Sequence, residues 1–463
     1  MPERPVRVRM APSPTGYVHL GSARTALFDM LFARQHRGAF VLRVDDTDLG
    51  RSQPEYEEAI YEGFRWLGLE WEEGPDVGGR FGPYRQSERL DTYRERAARL
   101  LASGAAYRCY CTPEELDAER AAARARHQPR YKYSRRCLTD PPGGRTQSVV
   151  RFQVPPGETT FADLVRGEVR FDNDEFGDPV IMKSNDWPTY NFASPIDDAL
   201  MEITHVFRGE EHLPNSPLQL MFLDALGMPR PDALAHFPVI VGKDGKKLSK
   251  RLHPETRLGL YEEMGYLPEA LRNYLALLGW NPGSEQEIFS LDELVEAFDI
   301  TRVQRANAMF DWSKLDWING KYIRELSDDE LARRLRPYVP DLPEALVRLV
   351  APGLKERLSR LGQAADMLRF VNEPPAPPSL TDAQREMLRA ACEALGALDD
   401  AEWSVPAIEA ALGSAREAHG WSQGKFLTPI RETVAGKVTP PIGYTLALLS
   451  RSEALCRMGR VLT

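Results

Sequence analysis

The sequence predicts an α/β fold, in which a doubly wound parallel sheet carries an α+β insertion and is followed by an all-α C-terminal region. Three observations support this prediction. The chain opens with a strand–helix–strand pattern, which is the opening unit of a parallel sheet. Residues 140–180 are rich in Gly and Pro and then strand-like, and from about Tyr261 the pattern is helical almost to the end.

The opening unit follows from its hydrophobic periodicity. Residues 6–10 (VRVRM) alternate like a half-buried strand. After a turn rich in Pro and Gly, SARTALFDMLFARQHRG predicts a helix that ends at Gly38. AFVLRV then predicts a second strand, which runs into the acidic segment DDTD.

Later elements show equally local signals. A helix is predicted from Pro54 to a stop at Gly68, because Pro suits the first helical turn and Gly suits the end. SERLDTYRERAARLLASG predicts another helix, and Thr112 with Glu115 predicts a capping box for the next one. The segments SVVRFQV, VRFDN, ITHVF and HFPVIV predict strands, and PPAPPS (residues 374–379) predicts a stiff break between helical blocks.

Bulk composition excludes several classes of protein. A chain of 463 residues suggests about three domains, and its net charge of −9 argues against non-specific nucleic-acid binding while leaving room for a specific RNA partner. Five cysteines in so long a chain do not make a disulfide framework. There is no apolar run of membrane-spanning length and no apolar signal-peptide region, so we expect a cytoplasmic protein.

Two distant stretches carry the residue types that phosphate binding needs. In RMAPSPTGYVHLGSARTALF (residues 9–28), glycines let backbone approach a ligand, the helix start favours phosphate, and His19 can donate to a phosphate oxygen. GKDGKKLSKRLH (residues 242–253) crowds lysines into a loop that can close over a polyphosphate. Taken alone, the first is more often a simple turn and the second a solvated basic loop.

Together the two stretches are much more specific. HLGS and KLSKR resemble the paired motifs of class I aminoacyl-tRNA synthetases, whose catalytic sheet is Rossmann-like. Further segments resemble glutamyl-tRNA synthetases in family order: LRVDDTD, GPYRQSERL, PTYNFA, VFRGEEHL and LPEALRNYLALLGW. FDWSKLDWINGKYI and PIRETVAGKVTPPIGYTLALLSR resemble the bacterial form, so the resemblance spans nearly the whole chain.

The resemblance implies ATP-dependent ligation of L-glutamate to the 3′-terminal adenosine of tRNA for glutamate, through a glutamyl-adenylate. Mg²⁺ would accompany the ATP, and class I membership implies transfer to the 2′-hydroxyl. Activation of this kind depends on positioning and on neutralising phosphate charge, so no protein nucleophile is expected. Whether tRNA for glutamine is a second substrate stays open, and we expect a monomer.

The resemblance also assigns site residues. His19, Lys247 and Lys250 fall on the family's catalytic positions, at the ATP and the departing pyrophosphate. The other ATP-binding positions are Gly21, Glu211 and Ser249. The glutamate-binding positions are Arg9, Ala11, Ser13, Asp45, Tyr190, Asn191 and Arg208. We expect Arg9 and Tyr190 to bind the side-chain carboxylate and Arg208 the α-carboxylate, because arginine matches a carboxylate with two parallel hydrogen bonds. Asp45 is expected to face the ammonium.

The chain departs from the family at three places. Asp45 stands where glutamate is usual, which predicts a longer or water-bridged contact with the ammonium. HLGS replaces the commoner His-Ile-Gly-His, and SNDWPTY replaces a Ser-Asp-Gly run before Tyr190. Without the motifs, Arg9 and Asp45 would be interpreted as a structural ion pair, and Tyr190 as a core aromatic residue.

A cysteine cluster offers a candidate zinc site. Its thiols are Cys109, Cys111 and Cys137, and three thiolates with one further ligand suit tetrahedral zinc. Some family members hold zinc at this place with a Cys-x-His pair, but here Thr139 occupies the histidine position. The fourth ligand is open between Tyr133 and His127, and the alternative is a degenerate site with free thiols.

The resemblance divides the chain into functional segments. The catalytic sheet covers 1–105 and 186–252, the insertion 106–185 binds the acceptor end, the stem-contact domain covers 253–325, and two anticodon-binding subdomains cover 326–373 and 374–463. Anticodon bases are unstacked and are read by stacking and edge hydrogen bonds. Lys355 and Arg357 are candidates for this contact, although each taken singly is more simply a residue of a solvated helix face.

Three other functions fit the sequence less well. An enzyme that glutamylates a modified tRNA base would end soon after KLSKR, whereas this chain continues with a long helical region. A non-catalytic tRNA-binding paralogue has no need of the retained histidine, lysines and arginines. Another adenylate-forming nucleotidyltransferase would have no reason to carry the anticodon-type region.

Overall fold

The computed structural model describes residues 4–48, 50–127, 131–248 and 256–462. The chain divides into two compact units, of which the first comprises Met1–Leu260 with Arg272–Asp311 and the second Tyr261–Leu271 with Trp312–Thr463. No helix among the described residues is both long and apolar enough to cross a membrane.

The strands and helices follow one another along the chain with short connections. The strands are β1 (Arg7–Met10), β2 (Ala39–Leu42), β3 (Ala106–Cys109), β4 (Val149–Phe152), β5 (Glu158–Asp163), β6 (Gly167–Asp172), β7 (Val180–Met182), β8 (His205–Gly209), β9 (Ala233–Phe237), β10 (Ile240–Val241) and β11 (Ala308–Met309). The helices of the first half are α1 (Leu20–Gln35), α2 (Pro54–Trp66), α3 (Leu90–Ala102), α4 (Pro113–Ala125), α5 (Arg136–Thr139), α6 (Tyr190–Leu200) and α7 (Ser216–Leu226). Those that follow are α8 (Gly259–Met264), α9 (Pro268–Leu277), α10 (Leu291–Ala297), α11 (Trp312–Glu325), α12 (Asp328–Leu335), α13 (Glu344–Lys355), α14 (Gln363–Leu368), α15 (Asp382–Gly396), α16 (Val405–Ala418), α17 (Gln423–Val434), α18 (Ile442–Ala447) and α19 (Arg451–Gly459).

Parallel strands form the centre of the first unit, as predicted. β1 pairs with β2 and β8 pairs with β9, both in parallel register. A hydrogen bond from the Thr204 N–H to the Arg7 carbonyl, 2.9 Å long, links the start of β8 to β1. Because the strands of each pair run in the same direction, the carboxyl ends of β1 and β2 lie together, as do those of β8 and β9, and α/β proteins bind ligands at such ends.

The first helix confirms the predicted strand–helix–strand unit, but it ends at Gln35 rather than at Gly38. Arg37 has a φ of 51°, which turns the chain after the helix. A Cβ on Gly38 would lie 2.2 Å from the Val6 carbonyl oxygen, so this position requires glycine for the close approach of two backbones.

Antiparallel strands between the two parallel pairs confirm that an α+β segment is present. β4 lies between β3 and β7 in one sheet, and β5 with β6 forms a hairpin that joins β9 at Asp163. The core beneath the three-stranded sheet includes Phe152, Ile181, Phe192 and Phe222. Periodicity predicted β4 and part of β6 but not β3, β5 or β7. The capping box of Thr112 with Glu115 is present.

The second unit is helical, as predicted from the C-terminal pattern. Residues 374–380 are in neither helix nor strand, which agrees with the break expected at PPAPPS. Beyond them, α15 to α18 bury Leu388, Ile408, Phe426, Ile430 and Leu446 completely. Burial of these apolar side chains, about 2 kcal/mol each, is what stabilises the bundle.

Candidate active site

A cavity of about 380 Å³ opens at the carboxyl ends of β1 and β8. The predicted site residues that line it are Arg9, Ala11, Ser13, His19, Gly21, Tyr190, Arg208, Glu211 and Lys247. Asp45 and Asn191 do not line it, and Ser249 and Lys250 lie outside the described residues. The structure therefore gathers residues from both motif stretches around one space.

His19 forms the corner between β1 and α1. Its Nδ1 accepts a 3.0 Å hydrogen bond from the Gly21 N–H, so the imidazole caps the helix in the manner usual for a short polar side chain. In the neutral ring this places the proton on Nε2, which makes that nitrogen a donor. The Gly21 N–H is thus committed to His19.

The basic loop returns to the same corner. Lys247 Nζ lies 2.9 Å from Glu211 Oε1, at the cavity. Beyond the loop, the Leu258 N–H donates to the Val18 carbonyl at 3.1 Å, and Arg257 forms an antiparallel bridge with His19. On one side of residues 249–255 the chain is therefore held at Glu211, and on the other side it is held beside the first motif.

The Lys247–Glu211 pair is accessible to solvent, since the two side chains are 52% and 47% exposed. Burial raises the pKa of the Glu211 carboxyl, but the Lys247 ammonium and a backbone N–H together lower it by more. The net pKa therefore lies below the ordinary value. Exposed pairs contribute at most about 1 kcal/mol. A phosphate group can therefore replace Glu211 as the partner of Lys247 with only a small loss of free energy.

Arg9 is buried and already paired with a carboxylate. Its Nε and Nη2 donate to the two oxygens of Asp198 at 2.9 and 3.2 Å, and its Nη1 donates to the Phe207 carbonyl at 3.2 Å. Arg43 also donates to Asp198, at 2.6 Å. Burial raises the pKa of Asp198, but the two guanidinium groups outweigh this effect and the net pKa is lowered.

Asp45 is not brought to the cavity. Its carboxylate accepts a 2.7 Å hydrogen bond from Arg43 Nε, and its side chain is 1% exposed. Burial raises its pKa to about 6, although Arg43 opposes the shift. Asp45 therefore lies in a buried ion pair, whose partner is Arg43 rather than Arg9, and its expected place at the ammonium stays a prediction.

Arg208 lies on the other side of the cavity and has neutral partners. It donates through Nε to His236 Nε2 at 3.0 Å, through Nη1 to Gln219 Oε1 at 2.7 Å and through Nη2 to Ser216 Oγ at 2.7 Å. Among the described residues, no carboxylate forms an ion pair with it. Burial lowers the pKa of this guanidinium, because a charged group is less stable away from water.

Tyr190 and Asn191 begin α6 beside Arg208. The Tyr190 hydroxyl lies 3.4 Å from His212 Nδ1, and His212 lines the cavity. Burial, followed by the nearby Arg208 charge, lowers the pKa of His212 to about 4. Asn191 Oδ1 accepts a 3.3 Å hydrogen bond from Gln219 Nε2, and Gln219 Oε1 accepts from Arg208, so Asn191 is linked to Arg208 through Gln219.

Comparison with known proteins places this cavity in a family. Residues 5–317 match the family of class I tRNA synthetases (E and Q), catalytic domain, and residues 330–462 match an anticodon binding domain. A glutamate–tRNA ligase of Acidothermus cellulolyticus is 45% identical over 98% of this chain and 95% of that protein. The chain belongs to the glutamate–tRNA ligase family. A second member, from Moorella thermoacetica, is 44% identical over 98% of this chain and 97% of its own length.

Solved structures of the glutamate–tRNA ligase family have the same fold. That of the Elizabethkingia meningosepticum protein, in complex with its amino acid, matches with a TM-score of 0.86 and 32% identity, over 99% of each chain. That of the Elizabethkingia anophelis protein also gives 0.86, with 33% identity over 99% of this chain and 100% of the other. These matches confirm the predicted Rossmann-like sheet with a helical C-terminal region.

The three predicted thiols form a cluster at the end of β3. The sulfur atoms of Cys109, Cys111 and Cys137 all lie within 4.8 Å of one another. The Tyr133 hydroxyl lies 3.2 Å from Cys111 Sγ, whereas His127 is not part of the cluster. Of the two candidate fourth ligands, Tyr133 is therefore the one that lies beside the thiols.

The donor set of this cluster fits zinc. Three soft sulfur ligands and one oxygen make the tetrahedral set that zinc accepts. Burial raises the pKa of the Cys111 thiol to about 11, although Tyr133 and Arg136 oppose the shift. A bound cation would reverse this by stabilising the thiolate.

The polar residues around the cavity that sequence reasoning missed include Asp163, Asp198, His212 and His236. The available signal was a charged or polar residue inside an apolar element, as in ALAHF of β9. Such a residue is buried only when it has partners. The signal shows that a partner exists without showing which residue it is.

Proposed function

We propose that this protein catalyses ATP-dependent ligation of L-glutamate to the 3′-terminal adenosine of tRNA for glutamate, through a glutamyl-adenylate. In the first step, a glutamate α-carboxylate oxygen attacks the α-phosphorus of ATP and pyrophosphate leaves. In the second, the ribose 2′-hydroxyl attacks the acyl carbon, and AMP leaves as the hydroxyl loses its proton.

One observation carries this proposal. His19 and Lys247, from the two distant motif stretches, line the same cavity as Arg208, a buried arginine that has neutral partners. A polyphosphate and an amino-acid carboxylate are the two anions that such a cavity would accept side by side. The adenylate joins those two anions in one molecule.

At the amino-acid end we assign the α-carboxylate to Arg208. Its charge has no ion-pair partner among the described residues, so a carboxylate there would relieve the cost of burying it. Arg9 and Tyr190 are assigned to the side-chain carboxylate, with Ala11 and Ser13 beside them. A direct role for Asp45 at the ammonium would require it to exchange Arg43 for the substrate.

At the nucleotide end we assign the phosphates to His19 and Lys247, with Ser249 and Lys250 assigned on the family pattern. The Nε2–H of His19 can donate to a phosphate oxygen, and Lys247 can move from Glu211 to the departing pyrophosphate. Both groups would stabilise negative charge as it builds on the leaving group.

Mg²⁺ is the cation expected with ATP. Among the described residues that line the cavity, Glu211 is the one acid. Mg²⁺ is commonly held by one or two carboxylates together with substrate phosphates and water, so this donor set fits. The bound ion would screen the phosphate charges during displacement.

For the tRNA, we assign the acceptor end to the insertion 106–185 and the anticodon to 326–373 and 374–463. Lys355 Nζ lies 3.4 Å from Asp328 Oδ1. The pKa of the Arg431 guanidinium is lowered mainly by burial and also by the nearby charge of Arg357. Two like charges held together favour an anionic ligand such as an RNA phosphate.

We also propose that Cys109, Cys111, Cys137 and Tyr133 hold one zinc ion. The metal would fix the end of β3 to the segment around α5, which is a structural role. Metal analysis of the purified protein should then find about one zinc per chain, and Tyr133→Phe should lower that content while Thr139→Ala leaves it unchanged.

The decisive experiment supplies labelled glutamate, ATP, Mg²⁺ and purified tRNA. We expect an alkali-labile ester at the 3′ end of tRNA for glutamate. Assaying tRNA for glutamine separately decides whether it is a second substrate, and light scattering checks the expected monomer. Label in a modified base, or no label with either tRNA, would reject the proposed function.

A further inference from the structure

Two buried side chains, Asp163 of the insertion and His236 of β9, are linked to Arg208 by consecutive hydrogen bonds. Asp163 Oδ2, at the end of β5, lies 2.5 Å from His236 Nδ1. His236 Nε2 in turn lies 3.0 Å from Arg208 Nε. His236 is completely buried, and Asp163 and Arg208 are 3% and 6% exposed.

The partners determine the protonation state of His236. A guanidinium N–H can only donate, so His236 Nε2 must accept from Arg208 and carries no proton. The ring proton is therefore on Nδ1 and is donated to Asp163. Burial lowers the pKa of His236, and although Asp163 opposes this shift, the net pKa lies below the ordinary value, which agrees with a neutral ring.

Asp163 is itself rigidly held. Its Oδ1 accepts the backbone N–H groups of Val165 at 2.9 Å and Arg166 at 2.8 Å, in the turn between β5 and β6. Oδ2 is left to His236. The two oxygens thus have separate tasks, and the backbone fixes which oxygen faces the imidazole.

The hydrogen-bonded chain also determines the direction of the guanidinium. Ser216 Oγ lies 3.0 Å from His236 Nε2 and accepts from Arg208 Nη2, so these two groups together cover one edge of the guanidinium plane. With that edge and one Nη1 proton engaged, the plane of Arg208 is set in the cavity wall.

We propose that Asp163 and His236 are positioning residues for Arg208, which hold its guanidinium in the orientation that receives the α-carboxylate of glutamate. This inference rests on the proposed function. Asp163 does so by selecting the imidazole tautomer, and His236 does so by presenting an acceptor to Arg208 Nε–H. Neither residue touches the substrate.

Asp163→Asn tests the inference with almost no change of shape. Because two backbone N–H groups require an acceptor, the Asn oxygen stays with them and the NH₂ group faces His236. The imidazole must then carry its proton on Nε2, opposite another N–H donor on Arg208. A charge-assisted hydrogen bond contributes about 1.5–3 kcal/mol, so we expect the KM for glutamate to rise roughly 10- to 100-fold. The KM for ATP should change less than about twofold.

Two further variants separate positioning from general stability. His236→Gln can present an oxygen to Arg208 and an NH₂ group to Asp163, so it should restore most of the glutamate affinity that His236→Leu loses. Asp178, another buried carboxylate of the insertion, pairs with Arg135, and Asp178→Asn is the matched control. It should leave the KM for glutamate unchanged even where it lowers the melting temperature.

A spectroscopic measurement observes the tautomer directly in the full-length protein. With ¹⁵N-histidine labelling, the resonance lost in His236→Gln identifies His236, and its Nε2 should be unprotonated in the wild type and protonated in Asp163→Asn. An unchanged tautomer, or an unchanged KM for glutamate in a folded Asp163→Asn, would overturn the inference. If the wild type failed to charge tRNA with glutamate while His236 still showed this tautomer, only the proposed function would fail.

Discussion

Arg9 and Arg208 lie on neighbouring strands and line the same cavity, yet their charges are balanced in opposite ways. Arg9 is paired through two hydrogen bonds with Asp198. Burial lowers the pKa of Arg9, but Asp198 outweighs this effect and the net pKa is raised. Arg208 is surrounded by an imidazole, an amide and a hydroxyl, and burial lowers its pKa. Arg9 has a protein carboxylate as its partner before any ligand binds, whereas Arg208 has only neutral hydrogen-bond partners among the described residues.

This difference separates stability from binding. A buried ion pair is strongly destabilised when one partner is removed, because the other charge is left without compensation. A buried charge that has only neutral partners destabilises the empty protein and favours the liganded one. We therefore expect substitutions on the Arg9 side to affect folding first and those on the Arg208 side to affect glutamate binding first.

The largest effect is expected for Asp198→Asn. This change leaves Arg9 and Arg43 without their shared carboxylate, so the free energy of unfolding should fall by about 3–5 kcal/mol in urea denaturation. Asp232→Asn is the matched control, since Asp232 pairs with Arg4 at an exposed site and should cost less than about 1 kcal/mol. Equal losses in the two variants would remove the basis of the comparison.

Arg208→Gln should have the converse effect. We expect kcat/KM for glutamate in ATP–pyrophosphate exchange, measured with tRNA present, to fall about 100-fold or more, because the α-carboxylate loses its charged partner. The free energy of unfolding should stay the same or rise, since an uncompensated buried charge is removed. A loss of stability like that of Asp198→Asn would show that Arg208 is structural.

Lys247→Ala tests a third cation of the cavity, whose pair with Glu211 is exposed. Activation should slow by roughly 10- to 100-fold as phosphate stabilisation is lost, and the KM for glutamate should change little. Stability should change by less than about 0.5 kcal/mol. Lys243→Ala, in the same loop but outside the cavity lining, should leave the rate unchanged; a similar slowing would point to general loop charge instead.

The smallest effect concerns pH. Burial lowers the pKa of His212 to about 4 in the folded protein. Between about pH 6.5 and 4, His212 is therefore protonated in the unfolded chain but neutral in the folded protein. The free energy of unfolding should fall as the pH drops through this range. A shift of about 2.5 pKa units corresponds to about 3.4 kcal/mol, which solvent access reduces to about 1–2 kcal/mol. His212→Gln should flatten this part of the stability–pH curve. An unchanged curve would mean that His212 adds no charge beside Arg208.

Local patterns predicted much of the fold because they depend on neighbours in sequence. The strand–helix–strand opening, the capping box at Thr112 and the break near PPAPPS all appear where turn residues and periodicity place them. β3, β5 and β7 were missed, since whether a segment becomes a strand depends on the strand beside it as well as on its own residues. The Arg43–Asp45 pair could have been anticipated, because residues two apart on an extended chain share a face.

The sequence by itself determined the strand–helix–strand opening and the helical C-terminal region, which residues carry the phosphate-binding chemistry, and the family to which they belong. Only the tertiary structure decided which buried arginine has a carboxylate and which has a histidine, because these partners come from strands and helices far apart in the chain. A charged residue in a buried strand indicates that it has an ion-pair or hydrogen-bond partner. Which partner it receives depends on how β5 and α6 pack against the parallel sheet.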